Sequence, residues 1–443
     1  MLFNSFIFWI FFFVVIIIYR QLSHTPQNRL LLLASYIFYG FWDYRFLSLI
    51  FISTVIDFFV AQNIVATNKK KDKKRWLLVS IAFNLGMLGF FKYWDFFIEE
   101  FTAFLDLLGI AASVPMLNVV LPVGISFYTF QTLGYTIDVY RGSIKAEKHL
   151  GIFAVYVSYF PQLVAGPIER AKNLLPQFYK KRVFSNSKAV DGLRQILWGL
   201  FKKVVIADTF ATWATNGFDK AEVLNMLEAW ATSLSYTFQL YFDFSGYTDM
   251  AIGAALLFNI KLPINFNSPY KAKDIQDFWR RWHITLSRFL RDYIYIPLGG
   301  NRVSSFKIYT NIMTTFILGG LWHGAGWTFV FWGFLHGGAL VIRHFWKKLG
   351  FTMNSILAWF ITFNFINIAW IFFRAKEWDD AIKVLHGMFF GKIFISYKIL
   401  LENIDARDEI LIWLMVALII MFFKNSNQLV KSFTMNIAYL MLT

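Results

Sequence analysis

His323 is the residue of this sequence best suited to proton transfer, because it lies inside a strongly apolar stretch. Glycines occupy positions 319, 320, 324 and 326 around it. Imidazole titrates near neutral pH, so a histidine can accept a proton from a hydroxyl group and later return it. The glycines would allow close backbone approach or a break in a helix, giving a ligand access to the ring. Two interpretations stay open, a general base or a buried histidine with a structural role.

A second candidate cluster, at residues 278–288, combines indole, guanidinium and imidazole groups. Besides His283 it contains the candidate ligand-binding residues Trp279, Arg280, Arg281, Trp282 and Arg288. Guanidinium groups suit a ligand that carries phosphates, and indoles suit a membrane interface or an acyl chain. As one continuous helix, the segment would place Trp279, Trp282 and Phe289 on the same side. It is predicted to bind a ligand, to anchor an amphipathic helix on anionic lipids, or both.

A third cluster holds two carboxylates in an otherwise apolar segment. Asp243 and Asp249 lie six residues apart, with the hydroxyl of Ser245 and the glycine at position 246 between them. Gly246 is predicted to break the helix, so that the carboxylates point into a polar interior. They would then contact substrate directly. The alternative is that they cap helix ends or pair with basic side chains.

The remaining motifs narrow the chemistry further. His336 lies in another apolar segment and is predicted to hydrogen-bond across helices, whereas His344 is predicted to lie at the membrane interface. The sequence contains no HExxH, no Cys/His metal set, no Walker lysine motif and no GxSxG elbow. A metalloprotease, an ATP-driven transporter and a serine hydrolase are therefore disfavoured, and no metal site is predicted. Histidine is the only candidate for proton transfer within the apolar segments.

The composition indicates that the elements positioning these residues lie in a membrane. Of the 443 residues 57% are hydrophobic, and they include 53 Phe, 17 Trp and 20 Tyr. A soluble globular protein is about 45–50% apolar, so this excess requires a non-aqueous environment. The first apolar run lacks a basic leading region and a small-residue cleavage site. We therefore expect it to be a retained span rather than a signal peptide.

The distribution of charge predicts the orientation. The formal charge of +16 comes from 43 basic and 27 acidic residues. The basic residues cluster between apolar runs, as the positive-inside rule describes for cytoplasmic loops, which argues against nucleic-acid binding. The cluster KKKDKKR at residues 69–75 is predicted to be cytoplasmic, and three spans before it place the N-terminus outside. Because cysteine is absent, disulfides and thiol chemistry are excluded.

The apolar runs predict an all-α, polytopic membrane protein with about 11 to 14 helical segments. Several runs are too short to cross a bilayer alone or contain glycine and proline. Such segments are typical of broken or re-entrant helices that line a protein-enclosed cavity. One integral domain over residues 1–443 is the simplest organisation. The predicted spans cover residues 2–19, 30–42, 46–66, 76–94, 97–112, 119–140, 152–164, 193–215, 227–242, 250–260, 308–322, 328–345, 356–373 and 410–423.

Six polar-rich stretches stand out along the chain. They are LPVGISFYTFQTLGYTIDVYRG at 121–142, AGPIER at 165–170, LYFDFSGYTDMAIG at 240–253, NFNSPY at 265–270, FWRRWHITLSRFLRDYIYIPLGGNR at 278–302 and GGLWHGAGWTFVFWG at 319–333. These stretches closely resemble the bacterial membrane-bound O-acyltransferase family, in particular its alginate and peptidoglycan O-acetylation branch, and more distantly the D-alanyl-teichoic acid transferase. The core motifs fall within residues 121–345, and the resemblance covers nearly the whole chain.

The resemblance implies the family's fold, a ring of about 11 or more helices, some re-entrant, around a central cavity open from both faces. It places the family's invariant histidine at His323 and its second signature histidine at His283. The side chains of Arg280, Arg281 and Arg288 would attract the phosphates of the donor. Other side chains that we assign to the donor or substrate site are Asp243, Ser245, Asn267 and Trp322.

The resemblance also implies a reaction. No bound cofactor is expected; the donor would be acetyl-CoA or a related acyl thioester from the cytoplasm. The acetyl group would cross the bacterial inner membrane to an extracytoplasmic polysaccharide, with a periplasmic acetyltransferase of the SGNH type and membrane lipid as partners. Peptidoglycan, alginate, cellulose and capsule stay open as acceptors, with a preference for peptidoglycan or another surface glycan. The alternatives are a transporter or flippase of a glycan precursor, and a D-alanyl or lipid acyltransferase.

Overall fold

The structure is a computed structural model that describes residues 1, 3–110, 114–392, 401–406 and 409–432. Within these ranges all regular secondary structure is helical, which confirms the all-α prediction. The chain groups into two compact units, and the single integral domain over residues 1–443 stays a prediction. The first unit comprises the described residues of Met1–Phe184, Ile260–Leu262 and Arg288–Gly333, and the second those of Ser185–Asn259, Pro263–Ser287 and Phe334–Thr443.

The helices of the described residues differ widely in length, from the 4 residues of Phe160–Leu163 to the 38 residues of Lys70–Leu107. The first eight are α1 (Phe6–Gln21), α2 (His24–Asp43), α3 (Leu47–Ala66), α4 (Lys70–Leu107), α5 (Ile125–Tyr140), α6 (Leu150–Ser158), α7 (Phe160–Leu163) and α8 (Ala171–Tyr179). The others are α9 (Asn186–Leu200), α10 (Asp208–Thr215), α11 (Met226–Leu257), α12 (Ile275–Arg281), α13 (Ile284–Leu290), α14 (Ser305–His323), α15 (Trp327–Lys348), α16 (Ser355–Arg374), α17 (Trp378–Phe390), α18 (Glu409–Phe422) and α19 (Ser426–Ser432).

Three of the described helical stretches are long and apolar enough to cross a membrane: His24–Ala66, Lys70–Leu107 and Ser355–Arg374. The 38 residues of α4 measure about 57 Å at 1.5 Å per residue, well beyond a hydrocarbon core of about 30 Å. Its lysine-rich first turns can therefore project into water. The prediction of two separate spans at 76–94 and 97–112 is wrong, because α4 continues through Asp95 to Leu107 as one helix.

A buried polar cluster connects α3, α4 and α5 within the first unit. The Asp57 carboxylate accepts hydrogen bonds from the Ser80 hydroxyl at 2.5 Å and the Asn84 amide at 2.8 Å. The Asn84 oxygen in turn accepts from Ser53 at 3.0 Å and from Thr132 at 3.2 Å. Because buried polar groups are costly unless hydrogen-bonded, these contacts specify which faces of the three helices meet. Asp57 is not among the residues predicted from the sequence, although a lone carboxylate in an apolar run is a recognisable signal.

The second unit is organised around α11, which is continuous through Gly246. The predicted break at this glycine, and the separate spans at 227–242 and 250–260, are therefore wrong. A Cβ atom on Gly246 would lie 2.8 Å from the carbonyl oxygen of Gly199, and one on Gly199 would lie 2.6 Å from that of Gly246. The absent side chains thus allow α9 and α11 to pack backbone to backbone, as small residues do in membrane helix pairs.

Candidate active site

His323 is the last residue of α14, and the chain leaves the helix at the glycine that follows. The Gly324 amide still donates to the Gly320 carbonyl oxygen at 3.3 Å, but the Gly324 backbone is extended, with φ −155° and ψ 154°. Helix α15 begins only at Trp327. The glycine-rich stretch therefore forms a helix break, which is one of the two effects that the sequence predicts for it.

Two indole rings enclose the imidazole of His323. Its ring centroid lies 4.8 Å from that of Trp322 and 5.1 Å from that of Trp332, in both cases edge to face. Trp322 itself stacks on Phe130 at 5.0 Å. His323 is half-buried, unlike Trp332, which is 1% exposed. The ring is therefore held by aromatic neighbours, and the residue as a whole is not fully buried.

The backbone at the end of α14 is held by α4. Lys92 Nζ donates to the carbonyl oxygen of Trp322 and, at 3.1 Å, to that of His323. The hydroxyl of Tyr93 donates to the carbonyl oxygen of Leu321. A cation at the carboxyl end of a helix pairs with carbonyl groups that have no partner within the helix. Lys92 and Tyr93 therefore position His323. Neither residue is predicted from the sequence, although a lysine within the predicted span 76–94 is a recognisable signal.

The backbones of α14 and α15 approach closely at Gly320, because this residue has no side chain. A Cβ atom at this position would lie 2.2 Å from the carbonyl oxygen of Phe329. No side chain fits in such a space, so the second effect predicted for the glycines, close approach, also occurs here. The break at His323 is thus fixed from two directions, by α4 and by the start of α15.

His283 lies in a second break, between α12 and α13. Its φ of +41° is in the left-handed region, which residues other than glycine adopt uncommonly. The continuous helix predicted for residues 278–288 is therefore wrong. The Ile284 amide donates at 3.0 Å to the Asn265 carbonyl oxygen instead of continuing the helix. This contact with a distant segment turns the chain and aims the imidazole inward.

The surroundings of His283 define its protonation state. The ring is 1% exposed, and burial lowers the pKa of His283 to about 3, so it is neutral at physiological pH. Its Nδ1 lies 3.3 Å from Asn265 Oδ1, which also accepts from the Thr285 amide at 3.1 Å. Because a backbone amide can only donate, Oδ1 must be the amide oxygen, and Nδ1 of His283 must carry the proton. The other nitrogen, Nε2, is then the basic one.

The two tryptophans of this segment are buried packing residues in the structure. Trp279 and Trp282 are 6% and 3% exposed. The Trp279 indole donates to Nδ1 of His336 at 3.2 Å, which confirms the cross-helix hydrogen bond predicted for that histidine. Trp282 stacks on Phe278 at 5.6 Å. Neither indole therefore lies on an exposed side of an amphipathic helix.

The arginines and Asn267 are more open. Arg280 and Arg288 are exposed, whereas Arg281 Nε pairs with Asp277 at 2.8 Å, one turn earlier in α12. The backbone amide of Asn267 donates to the carbonyl oxygen of Arg281 at 2.9 Å. Arg280 and Arg288 thus retain charge for an anionic ligand, while part of the charge of Arg281 is neutralised within the chain.

Asp243 and Asp249 of α11 both form ion pairs, as the second interpretation of that cluster predicts. Asp249 Oδ2 lies 2.6 Å from Lys202 Nζ and also accepts from the Ser426 hydroxyl at 2.6 Å. Asp243 pairs with Lys203. Ser245 is 1% exposed, and its hydroxyl has no hydrogen-bond partner within the described part of the chain. Asp249 therefore has a structural role, and Asp243, which is more exposed, stays a candidate for substrate contact.

Comparison with known proteins shows what this arrangement is similar to. A model of the family described as MBOAT, membrane-bound O-acyltransferase, matches residues 147–376. A peptidoglycan O-acetyltransferase of Helicobacter pylori is 50% identical over 388 residues, covering 81% of this chain and 73% of that protein. A probable alginate O-acetylase AlgI of Azotobacter vinelandii is 39% identical over 424 residues, covering 94% of this chain and 84% of that protein.

A more distant similarity extends to another surface polymer. A teichoic acid D-alanyltransferase of Streptococcus thermophilus is 29% identical over 323 residues, covering 63% of this chain and 75% of that protein. The matched family segment contains both histidine-bearing helix breaks, at His283 and at His323. The family match, the 50% identity to an O-acetyltransferase and the apolar helices all indicate a membrane-bound acyltransferase. The chain belongs to the membrane-bound O-acyltransferase family and is a multi-pass membrane O-acyltransferase.

Proposed function

We propose that this O-acyltransferase passes an acetyl group from a cytoplasmic thioester to a hydroxyl group of an extracytoplasmic polysaccharide, with peptidoglycan as the acceptor. The similarity to the Helicobacter pylori peptidoglycan O-acetyltransferase, at 50% identity over 81% of this chain, supports that acceptor over alginate. The observation that carries the chemistry is His323, a half-buried histidine at a helix break whose imidazole is held between two indoles.

In the proposed reaction, the acceptor hydroxyl gives its proton to the imidazole of His323 while its oxygen attacks the thioester carbonyl carbon. The carbon–oxygen bond of the new ester forms and the carbon–sulfur bond breaks. The proton then passes from the imidazolium to the departing thiolate, which leaves as a thiol. The attacking hydroxyl belongs to the polymer or to the serine of a periplasmic SGNH-type partner.

The donor is proposed to be acetyl-CoA or a related acyl thioester, which enters from the cytoplasm. The exposed side chains of Arg280 and Arg288 would attract its phosphates. His283, with Nε2 as its basic nitrogen, would orient the donor carbonyl or relay the proton. We place the chain in the bacterial inner membrane with the lysine-rich start of α4 in the cytoplasm and the N-terminus outside, following the positive-inside rule.

The reaction can be tested with purified protein in proteoliposomes. Acetyl-CoA labelled in the acetyl group is supplied on one side, and peptidoglycan fragments with the SGNH-type partner on the other. We expect alkali-labile label on the glycan that depends on both the donor and this chain. Movement of unlabelled glycan without ester formation would support the flippase alternative, and transfer of D-alanine instead of acetate would support the alternative acyltransferase. Either result would overturn the proposal.

Replacing His283 with asparagine should lower acetyl transfer by roughly 100-fold, the lower end of the usual contribution of a proton-transfer group. Asparagine is chosen because it tolerates the left-handed backbone that this position requires. The measurement is the initial rate of label transfer, together with thermal unfolding to show that the variant folds. An unchanged rate in a folded variant would remove His283 from the reaction and leave it only its packing role.

A further inference from the structure

The second unit contains an apolar groove that the reaction does not use. It runs between the second half of α15 and the first half of α16, is bordered at one end by the segment before α12, and has a volume of about 820 Å³. Side chains such as Phe334, Ile342 and Trp346 of α15 face Ile361 and Phe365 of α16 across it. Aliphatic and aromatic side chains therefore form its walls, and neither Arg280 nor any histidine lines it.

The apolar walls are open to the surroundings of the protein. Ile342 is 67% exposed and Phe351, in the loop between the two helices, is 56% exposed. From Phe334 to Trp346 the groove follows α15 for about 18 Å at 1.5 Å per residue. One leaflet of a bilayer has a hydrocarbon depth of about 15 Å, half of the full core. The groove thus has the length of a lipid acyl chain in a single leaflet.

One end of the groove is basic. Lys273, Arg343 and Lys347 line it where α15 ends and α16 begins. A single carboxylate, Asp274, lines the same end, and it pairs with Arg343 Nε at 3.0 Å. Lys273 Nζ donates to the Ser355 hydroxyl at 3.1 Å, which holds it at the mouth. Two lysines therefore remain to attract a negative group, because the third cation is paired within the chain.

We propose that this groove is a binding site for an anionic glycerophospholipid of the cytoplasmic leaflet. An acyl chain lies along α15 and α16, and the headgroup phosphate lies between Lys273 and Lys347. The basic end is assigned to the cytoplasmic side by the positive-inside rule. A lipid fits both properties at once, because it joins an apolar chain of leaflet length to a negative group at the membrane surface. A second protein copy would not require the lysines at one end only.

Gly338 provides a direct way to fill the groove. It lines the cavity, and a Cβ atom at this position would have no neighbour within 4 Å, so Gly338→Leu places a side chain in open space. Gly86→Leu is the matched control, because Gly86 is an exposed glycine of the membrane helix α4 that also has no neighbour within 4 Å. The readout is the phosphatidylglycerol that stays bound to the full chain in native mass spectrometry. We expect roughly a tenfold loss for Gly338→Leu and none for Gly86→Leu.

The charge requirement is measured separately with Lys273→Gln/Lys347→Gln. Phosphatidylglycerol and phosphatidylcholine compete for the same purified protein, and the double variant should lose roughly tenfold or more of the preference for the anionic lipid. Lys220→Gln/Lys424→Gln removes the same charge from exposed positions outside the groove and should keep the preference. Equal retention by Gly338→Leu and its control would overturn the proposal. Displacement of the phospholipid by stoichiometric acyl-CoA would also overturn it, because the groove would then be a donor site.

Discussion

A His323→Ala protein should fold and insert normally but transfer acetyl groups about 10²–10⁴ times more slowly than the unchanged chain. The loss follows from the proposed role, since the acceptor hydroxyl would have no base to take its proton. Folding should survive because the end of α14 is held through its backbone as well as through the ring contacts of the imidazole. Lys92 donates to the carbonyl oxygen of residue 323, and the glycine break follows it. Neither this hydrogen bond nor the helix break requires the imidazole.

The measurement for His323 is the initial rate of ester formation in the proteoliposome assay, with thermal unfolding recorded on the same preparations. His386→Ala is the control, because His386 lies on α17 with an exposed side chain. That variant should match the unchanged chain in both readouts. A folded His323→Ala protein that still acetylates polymer at the normal rate would refute the assignment of the base.

Replacing Lys202 with methionine should destabilise the protein by about 3–5 kcal/mol, the usual consequence of removing one partner of a buried ion pair. Lys202 and Asp249 are 8% and 2% exposed and lie 2.6 Å apart. Without the ammonium group, the hydrogen bonds that the carboxylate keeps within the described residues come from Gln195 and Ser426, each at 2.6 Å. Both of these donors are neutral, so the ion pair of the carboxylate is lost.

The double variant Lys202→Met/Asp249→Leu tests the cause of that loss. Removing both charges should recover most of the stability, because the uncompensated carboxylate is gone. Arg75→Gln is the control, since Arg75 pairs with Asp72 on an exposed turn of α4, and its loss should cost at most about 1 kcal/mol. The measurement is the free energy of unfolding in detergent. A double variant as unstable as Lys202→Met would show that packing rather than charge accounts for the effect.

The fold class, the family and the helix break at His323 were predictable from local features of the sequence. Apolar runs identify membrane helices because the backbone N–H and C=O groups of each run must hydrogen-bond within that run when it lies in lipid. This requirement does not depend on what the helix packs against. The glycines around His323 indicate a break because the conformational freedom of glycine is a property of that residue alone. His336 was predicted to bond across helices because a buried imidazole requires a partner.

The identity of each partner was decided only by the tertiary structure. Gly246 was predicted to break the helix, but in the structure it packs against the backbone of Gly199, about fifty residues earlier in the chain. The turn at His283 depends on Asn265, and the position of His323 depends on Lys92 of another helix. Such contacts join segments far apart in sequence, whereas periodicity and residue type describe only neighbours along the chain. The sequence thus determines which polar groups need partners inside the membrane, and packing of the helices determines which partners they find.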